Sequence, residues 1–284
     1  MKRKEKNVDH KTIQGFGYEW EKFDQSVLSE KEHEELFEAY FSIFPWNSLS
    51  KKSTGFDLGC GSGRWAKLVA PKVGSLHCID PSSALDVARK NLSNFDNCLF
   101  YSATVDEIPL EHSSMDFGYS LGVLHHIPDP QAGLNECVKR LKPGAPFLVY
   151  LYYAFDNRSI WFRMIWIFSD IFRKIISNLP NGLRYYSSQI LALLVYFPLA
   201  RIARGLEKLG LDVSSFPLSS YKNRSFYTMR TDALDRFGTK LEHRFTRLQI
   251  EKMMKKSGLE QITFSEKSAF WTAVGIRQIN SSGG

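Results

Sequence analysis

The chain is poor in cysteine and spreads what it has. Cys60, Cys78, Cys98 and Cys137 are its only four, and no two form a C-x-x-C pair, which argues against a disulfide framework and against a zinc site. Such usage fits a reduced, cytoplasmic compartment. Long apolar runs are also lacking: the longest, Ile190 to Ala200, falls short of the roughly 20 residues of a spanning helix and contains Pro198. No apolar segment follows the basic opening MKRKEKNVDHK, so a signal peptide is not expected and a mobile tail is. Internal repeats are absent. Together these absences predict a soluble protein.

What is present is 284 residues, enough for a core domain with an insertion or second lobe, and a net charge of +7 that is unevenly placed. Met1 to Tyr150 carries 17 lysines and arginines against 20 acidic residues, whereas Leu151 to Gly284 carries 20 against 10. The second half therefore supplies the positive field, which suits anionic substrates, membrane headgroups or nucleic acid, or else a merely solvated basic face.

From Ser53 to Tyr152 short apolar runs alternate with amphipathic segments. TGFDLGC, SLHCID, CLFYSA, MDFGYSLGVL and PFLVYLYY read as strands; RWAKLVAPKV, SALDVARKNLSNF and PQAGLNECVKRLK read as helices. Strict alternation predicts an α/β fold, a doubly wound and mostly parallel sheet with ligands at the carboxyl ends of its strands. Beyond Tyr152 the rhythm changes. Ser159 to about Gly210 is helical and rich in large apolar residues, with polar breaks at Arg163, Asp170, Arg173 and Lys174 on one narrow face. Pro180 and Pro198 are expected to cut it into two or three helices. A helix at RLQIEKMMKKSG and two strands, EQITFSE and FWTAVGIRQ, pairing as a hairpin at the sheet edge, close the chain, and NSSGG is expected to be disordered.

The informative motif is DLGCGSG, Asp57 to Gly63. Gly59, Gly61 and Gly63 give G-x-G-x-G, with Arg64 where a dinucleotide fingerprint would need its third glycine. This motif, the acidic Asp80 after SLHCID, MDFGYSLGVLHHIPDP (Met115 to Pro130) and RLKPGAPFLV (Arg140 to Val149), in that order, resemble the S-adenosylmethionine-dependent methyltransferases of the Rossmann-like class. The resemblance covers roughly Thr54 to Tyr152. It implies a seven-stranded sheet, S-adenosylmethionine as cofactor, and a helical substrate cap inserted after the fifth strand, at Asn157 to Thr246. Four segments follow: an N-terminal tail and helical lid at 1–50, the cofactor-binding core at 51–156, the cap at 157–245, and a helix with hairpin completing the sheet at 246–280.

The cofactor carries no phosphate, so it needs close backbone approach for its methionine tail and acceptors for its ribose diol. The glycines offer the first and the Asp80 carboxylate the second. Asp57 is placed to orient the cofactor's ammonium. Where the family resemblance implies an acidic residue near the adenine, this chain has Thr104, so Thr104 or the Val105 backbone is expected to read the adenine, and Asp106, two residues on, is either a second reader or a helix cap. The resemblance adds Cys60, Pro81, Leu121 and Gly122 to the cofactor set. The aromatic segment GFGYEWEKF contributes Tyr18 and Trp20, as a lid or as an anchor to the sheet.

Methyl transfer is an in-line displacement, and a base is needed only where the acceptor must lose a proton. His125 and His126, after the fourth strand, are the candidates, with a packing role as the alternative. No metal site is expected. The loop reads LGVLHHIP and carries no N-P-P-Y motif, which, by the family resemblance, counts against nucleobase amines and protein glutamine as acceptors. Arg224, Arg230, Arg236 and Arg244, with Tyr153, Tyr221, Tyr227 and Phe226, are candidates to grip a carboxylate or phosphate on an aromatic acceptor; the bland alternative pairs the arginines to Asp232, Asp235 and Glu242. The leading reading is a small-molecule methyltransferase. A peripheral-membrane enzyme acting on a lipid or quinone precursor, with weak contact to anionic membranes, a transfer-RNA methyltransferase and a non-catalytic cofactor-binding protein remain alternatives. A homodimer through the apolar face is a further option, and no stable nucleic-acid partner is expected.

Overall fold

The computed structural model describes residues 7–156, 159–266 and 271–279. The first six residues, the start of the expected cap at Asn157 and the NSSGG tail lie outside them. Contacts within the chain divide it into two compact units: Met1–Asp24, His33–Ala154 and Leu241–Gly284 form the first, and Gln25–Glu32 with Phe155–Lys240 the second.

The first unit holds one seven-stranded sheet. In chain order its strands are β1 (Thr54–Leu58), β2 (Ser75–Ile79), β3 (Cys98–Tyr101), β4 (Phe117–Leu121), β5 (Pro146–Tyr150), β6 (Leu259–Phe264) and β7 (Thr272–Arg277), and their spatial order is β3-β2-β1-β4-β5-β7-β6. The first five strands pair in parallel; β7 runs antiparallel to β5, and β6 antiparallel to β7. This is the expected doubly wound sheet with its hairpin at one edge. Both faces are covered, which is why the central strands read as nearly continuous apolar runs. Phe56, Leu58, Ile79 and Phe147 pack against one layer, which includes α5 (Pro130–Arg140) and α10 (Arg247–Lys256). Leu76, Cys78, Phe117 and Tyr119 pack against the other, from α2 (Glu30–Phe41), α3 (Ala66–Val69) and α4 (Ala84–Asn91). All four cysteines are buried and free.

Local chemistry sets the helix ends. Asp129 caps α5 by accepting from the Ala132 amide at 3.0 Å, with Pro130 in the first turn where no amide is needed. Thr246 and Gln249 form a reciprocal capping box on α10. At the other end of the chain the expectation of a mobile tail needs correction from Asn7 onward. The Asn7 side chain donates to the Asp129 carbonyl (2.8 Å) and accepts from the Asp129 amide (2.7 Å), and Asp9 then caps α1 (His10–Lys22).

The second unit contains α6 (Ile160–Ile176), α7 (Asn181–Leu191), α8 (Phe197–Lys208) and α9 (Phe226–Gly238), the helical insertion that follows β5. Its small core gathers Ile176, Ala192, Tyr196, Ala200, Met229, Ala233 and Phe237. Pro198 does not break the chain as expected. A π-helical turn, Ala192–Tyr196, joins α7 to α8 directly, and its wider register accommodates the proline in the first turn of α8. The joined helix Asn181–Lys208 has 28 residues and a mean hydropathy of 1.4 over its most apolar window, long and apolar enough by those measures to cross a membrane. The expectation that no segment reaches that length is corrected accordingly.

Candidate active site

The loops at the carboxyl ends of β1, β2, β4 and β5 converge in the first unit. The glycine loop is clamped to the end of β2, since the amides of Gly59 (2.7 Å) and Cys60 (3.2 Å) both donate to the Ile79 carbonyl. Gly59, Gly61 and Gly63 all adopt the left-handed backbone, with φ of 76°, 53° and 77°. A Cβ at Gly59 would fall 2.2 Å from Val123 Cγ2, and one at Gly61 would fall 2.9 Å from Trp20 Nε1. The loop glycines are thus required by backbone conformation and by protein neighbours. At the strand ends, Gly122, directly after β4 at φ 80°, is a glycine whose missing side chain leaves open space.

Asp80 is buried and already holds the loop together. Its Oδ2 accepts from the Gly61 amide at 2.9 Å, and its Oδ1 accepts from the Ser82 amide (2.9 Å) and hydroxyl (2.6 Å). Burial raises its carboxyl above the usual range, against the lowering effect of those three donors. Pro81 beside it is half-buried. Asp57, on β1, is fully enclosed; burial raises its carboxyl well above the ordinary value although the Tyr119 hydroxyl beside it favours the charged form, and its Oδ2 has no hydrogen-bond partner. The Cys60 thiol, beside that of Cys78, which favours its thiolate, is nonetheless pushed up to about 11 by burial. Thr104 begins the short 3-10 turn Val105–Glu107 with its Oγ1 buried and unpartnered, and Val105 packs into the core. Asp106 accepts from the Asn7 amide at 2.5 Å, so it ties down the N-terminal segment. Leu121 is buried at the end of β4.

The segment containing Tyr18 and Trp20 is helical. α1 lies across the start of α4, where Ser83 Oγ donates to Glu21 at 2.7 Å, and the Trp20 indole rests on Gly61. The Arg64 guanidinium lies 5.1 Å from the Trp20 ring and 4.3 Å from the Trp65 ring. Tyr18 is half-buried with Lys22 Nζ 5.5 Å from its ring. Sequence reasoning missed Asn91, whose amide donates to the Ser62 carbonyl (2.9 Å) and the Asp24 carbonyl (2.7 Å), pinning the glycine loop to the end of α1. No pattern marks a lone asparagine at a helix end for such a role.

The histidine pair occupies a 3-10 turn, Leu124–His126. His125 is wholly buried, stacked 3.8 Å from Tyr152, and both ring nitrogens lack partners. Burial holds it well below the usual imidazole value, and His126, Arg244 and His243 push the same way, so it stays neutral. His126 differs. Its Nδ1 stands 2.7 Å from the Leu241 carbonyl oxygen, which can only accept. The proton therefore sits on Nδ1, and Nε2 presents a lone pair in the neutral ring. The ring is nearly buried, 5.0 Å from Phe16 and 5.3 Å from Tyr152.

The segment Leu241–Phe245 runs beside the chain that leaves β5. The Phe245 amide donates to the Tyr152 carbonyl (2.8 Å) and the Ala154 amide to the Phe245 carbonyl (2.9 Å). Arg244 donates to Glu242 at 2.6 Å and to the Tyr153 carbonyl at 3.1 Å, and lies 4.9 Å over the Tyr152 ring. Residues 241–245, placed with the cap by sequence, therefore complete the first unit. The other expected substrate residues lie in the second unit. Arg230 donates to Gln189 (2.5 Å) and to the Tyr185 hydroxyl (2.8 Å), the Tyr227 hydroxyl accepts from the Gln25 amide (2.9 Å), and the Arg224 carbonyl accepts from Arg201 (3.2 Å). Arg236 faces Asp170 at 3.7 Å, a partner the sequence pairing did not include. Among the described residues no cluster of histidine, cysteine and carboxylate side chains is arranged to hold a metal.

A family model described as a methyltransferase domain matches residues 56–149. The chain is 27% identical over 182 residues to a ubiquinone biosynthesis O-methyltransferase of Xylella fastidiosa (strain M23), covering 62% of this chain and 69% of that protein. It is 31% identical over 139 residues to phosphoethanolamine N-methyltransferase 2 of Caenorhabditis elegans, covering 48% and 31%. A chain from the complex between the Haloferax volcanii Trm112 methyltransferase activator and the putative methyltransferase superposes with a TM-score of 0.55 at 14% identity, covering 94% of this chain and 98% of that one, a likeness of fold. Residues 56–149 are accordingly a methyltransferase domain of the S-adenosylmethionine-dependent, Rossmann-like class, and the chain is a methyltransferase.

Proposed function

We propose that the chain methylates a small aromatic acceptor through an ionisable hydroxyl, with His126 as the base. The observation that carries this reading is the bond from His126 Nδ1 to the Leu241 carbonyl, which leaves Nε2 as the proton acceptor among Phe16 and Tyr152. Aromatic walls favour a flat acceptor, and a phenol-like hydroxyl is the acceptor that needs its proton removed as the bond to carbon forms. When bound, S-adenosylmethionine supplies the methyl group from a sulfonium. The residues that fit it are those with unmet capacity at the strand ends: the open space at Gly122, the unpartnered Thr104 Oγ1 and Asp57 Oδ2, and the second lone pair of Asp80 Oδ2. The Trp20 indole against Gly61 shields the loop from water.

A neutral His125 stacked between its neighbours supports and positions His126, whose ring centroid is 4.0 Å away. The relatives include enzymes named for O- and N-methylation, which supports methyl transfer to a small molecule and leaves the acceptor atom to be tested. The test is transfer of labelled methyl to matched acceptors: a catechol or hydroxybenzoate, an aromatic amine and an aliphatic ethanolamine. Turnover confined to the hydroxyl compounds supports the reading. Equal or better turnover of the amines sinks it.

A further inference from the structure

Helix α6 is built inside out for a protein in water. Asp170 and Arg173 point into the second unit and are buried; Arg173 Nε donates to Asp170 at 2.6 Å, and its guanidinium also donates to the carbonyls of Thr239 (3.0 Å) and Lys240 (3.2 Å). Lys174 reaches the same carboxylate at 3.1 Å. The outward face is apolar: Ile160, Met164, Ile167, Phe168, Ile171 and Ile175 recur at three- and four-residue intervals, each more than half exposed. Trp161 flanks the stripe at 46% exposure.

The continuous helix α7–α8 repeats the arrangement. Ala192, Tyr196, Ala200 and Ala203 face inward, while Leu183, Tyr186, Ile190, Leu193 and Leu194 lie exposed on one stripe. Two turns beyond Phe197 that stripe becomes basic, with Arg204 and Lys208 exposed. A monomer in water gains nothing from such faces.

We propose that the second unit docks on the surface of an anionic lipid bilayer through the outward apolar faces of α6 and α7–α8. Charge selects this occupant over a second copy of the chain. The unit carries 14 lysines and arginines against eight acidic residues, so two copies brought face to face repel, whereas anionic headgroups are attracted. Large apolar and aromatic residues on one face with basic residues beside them are the composition of a helix lying in the headgroup region. Although α7–α8 is long enough to span, its inner stripe is packed in the unit's core, so a single face is free and the helix lies along the surface. The proposal does not depend on the role given to His126.

The test is flotation of the full chain with phosphatidylcholine vesicles and with vesicles containing phosphatidylglycerol, with light scattering in lipid-free buffer. Partition is expected to be about tenfold or more stronger on the anionic vesicles and to weaken with salt. Phe168→Glu with Leu194→Glu, both at exposed positions, should lower it by about 100-fold while the far-ultraviolet spectrum stays that of the folded chain. Brominated lipid should quench tryptophan emission in the parent, and less so in Trp161→Phe. A stable dimer in lipid-free buffer without vesicle binding overturns the proposal in favour of a second copy, a monomer that ignores both vesicles overturns it outright, and retention through alkaline carbonate washing overturns surface docking in favour of a spanning helix.

Discussion

Helices α5 and α6 are both amphipathic and both end in basic residues, yet they face opposite ways. In α5 the apolar stripe of Leu134, Cys137 and Val138 is buried under the sheet and Lys139 is exposed. In α6 the ion pair is buried and the apolar stripe is outside. The period of a sequence locates a stripe, but what the stripe meets decides its direction. A sheet face whose strands run Phe-Asp-Leu or Phe-Leu-Val supplies an apolar partner for α5. The second unit supplies Asp170 with Arg173 and Arg236 instead, and burial of that carboxylate is tolerated because the bonds from Arg173 and Lys174, with the nearby Arg236 charge, outweigh the desolvation that would raise it and hold it below the ordinary aspartate value.

The contrast is sharpest where chemistry and packing are probed separately. The largest effect is expected in the first unit, at the site. His126→Ala should lower kcat by about 10²–10⁴ while leaving the affinity for S-adenosylhomocysteine, measured by calorimetry, close to that of the parent. A loss of less than tenfold would return the histidine to a packing role. Next comes the core beneath it: Leu134→Ala, at a fully buried position of α5, should destabilise by about 3 kcal/mol in urea unfolding, because a cavity opens in a close-packed layer. A cost under about 1 kcal/mol would mean that this layer relaxes as freely as a surface.

A smaller effect with a definite pH signature belongs to Asp57. Its folded carboxyl is raised well above the unfolded value, chiefly by burial, so the ionised form is penalised in the folded state. That penalty is absent below the unfolded aspartate range, near pH 4, and grows as pH rises through the folded value. Asp57→Asn removes it. The Tm of the variant should therefore exceed that of the parent by a margin that widens from pH 4 upward, while cofactor affinity falls. A margin that narrows with pH would show that the carboxylate is stabilised by its surroundings.

Much of the first unit was legible because its signals are local. Alternating runs gave the strands, and glycines at Gly59, Gly61 and Gly63 marked a loop whose left-handed backbone few other residues adopt. Asp80 was legible as a loop acidic residue, but its bonds to Gly61 and Ser82 were not, since they depend on how two loops meet. The fixing of His126 by Leu241 joins residues 115 positions apart and leaves no trace in spacing. RWAKLVAPKV, read as one helix, yields only Ala66–Val69 and a 3-10 turn, because Pro71 ends it. Pro198 misled in the opposite direction, because a π turn lies just ahead of it. The arginines of the insertion were legible as charges only; that Arg230 donates to Gln189 and Tyr185 is a property of packed helices.

The smallest effect decides whether α6 is as different from α5 as it looks. Phe168→Ala removes more apolar surface than Leu134→Ala does, yet Phe168 is 66% exposed. If nothing covers it in lipid-free buffer, the change should alter urea stability by no more than about 0.5 kcal/mol, since little is removed from contact and no cavity forms. A cost of about 2 kcal/mol or more would mean that Phe168 is covered in solution. Repeating the measurement over a hundredfold range of protein concentration then identifies the cover: stability that rises with concentration points to a second copy, because association stabilises by mass action, whereas a constant cost places the cover within the chain itself. Near-zero cost in buffer together with loss of vesicle binding is the pair of results that separates a face built for lipid from a face built for folding.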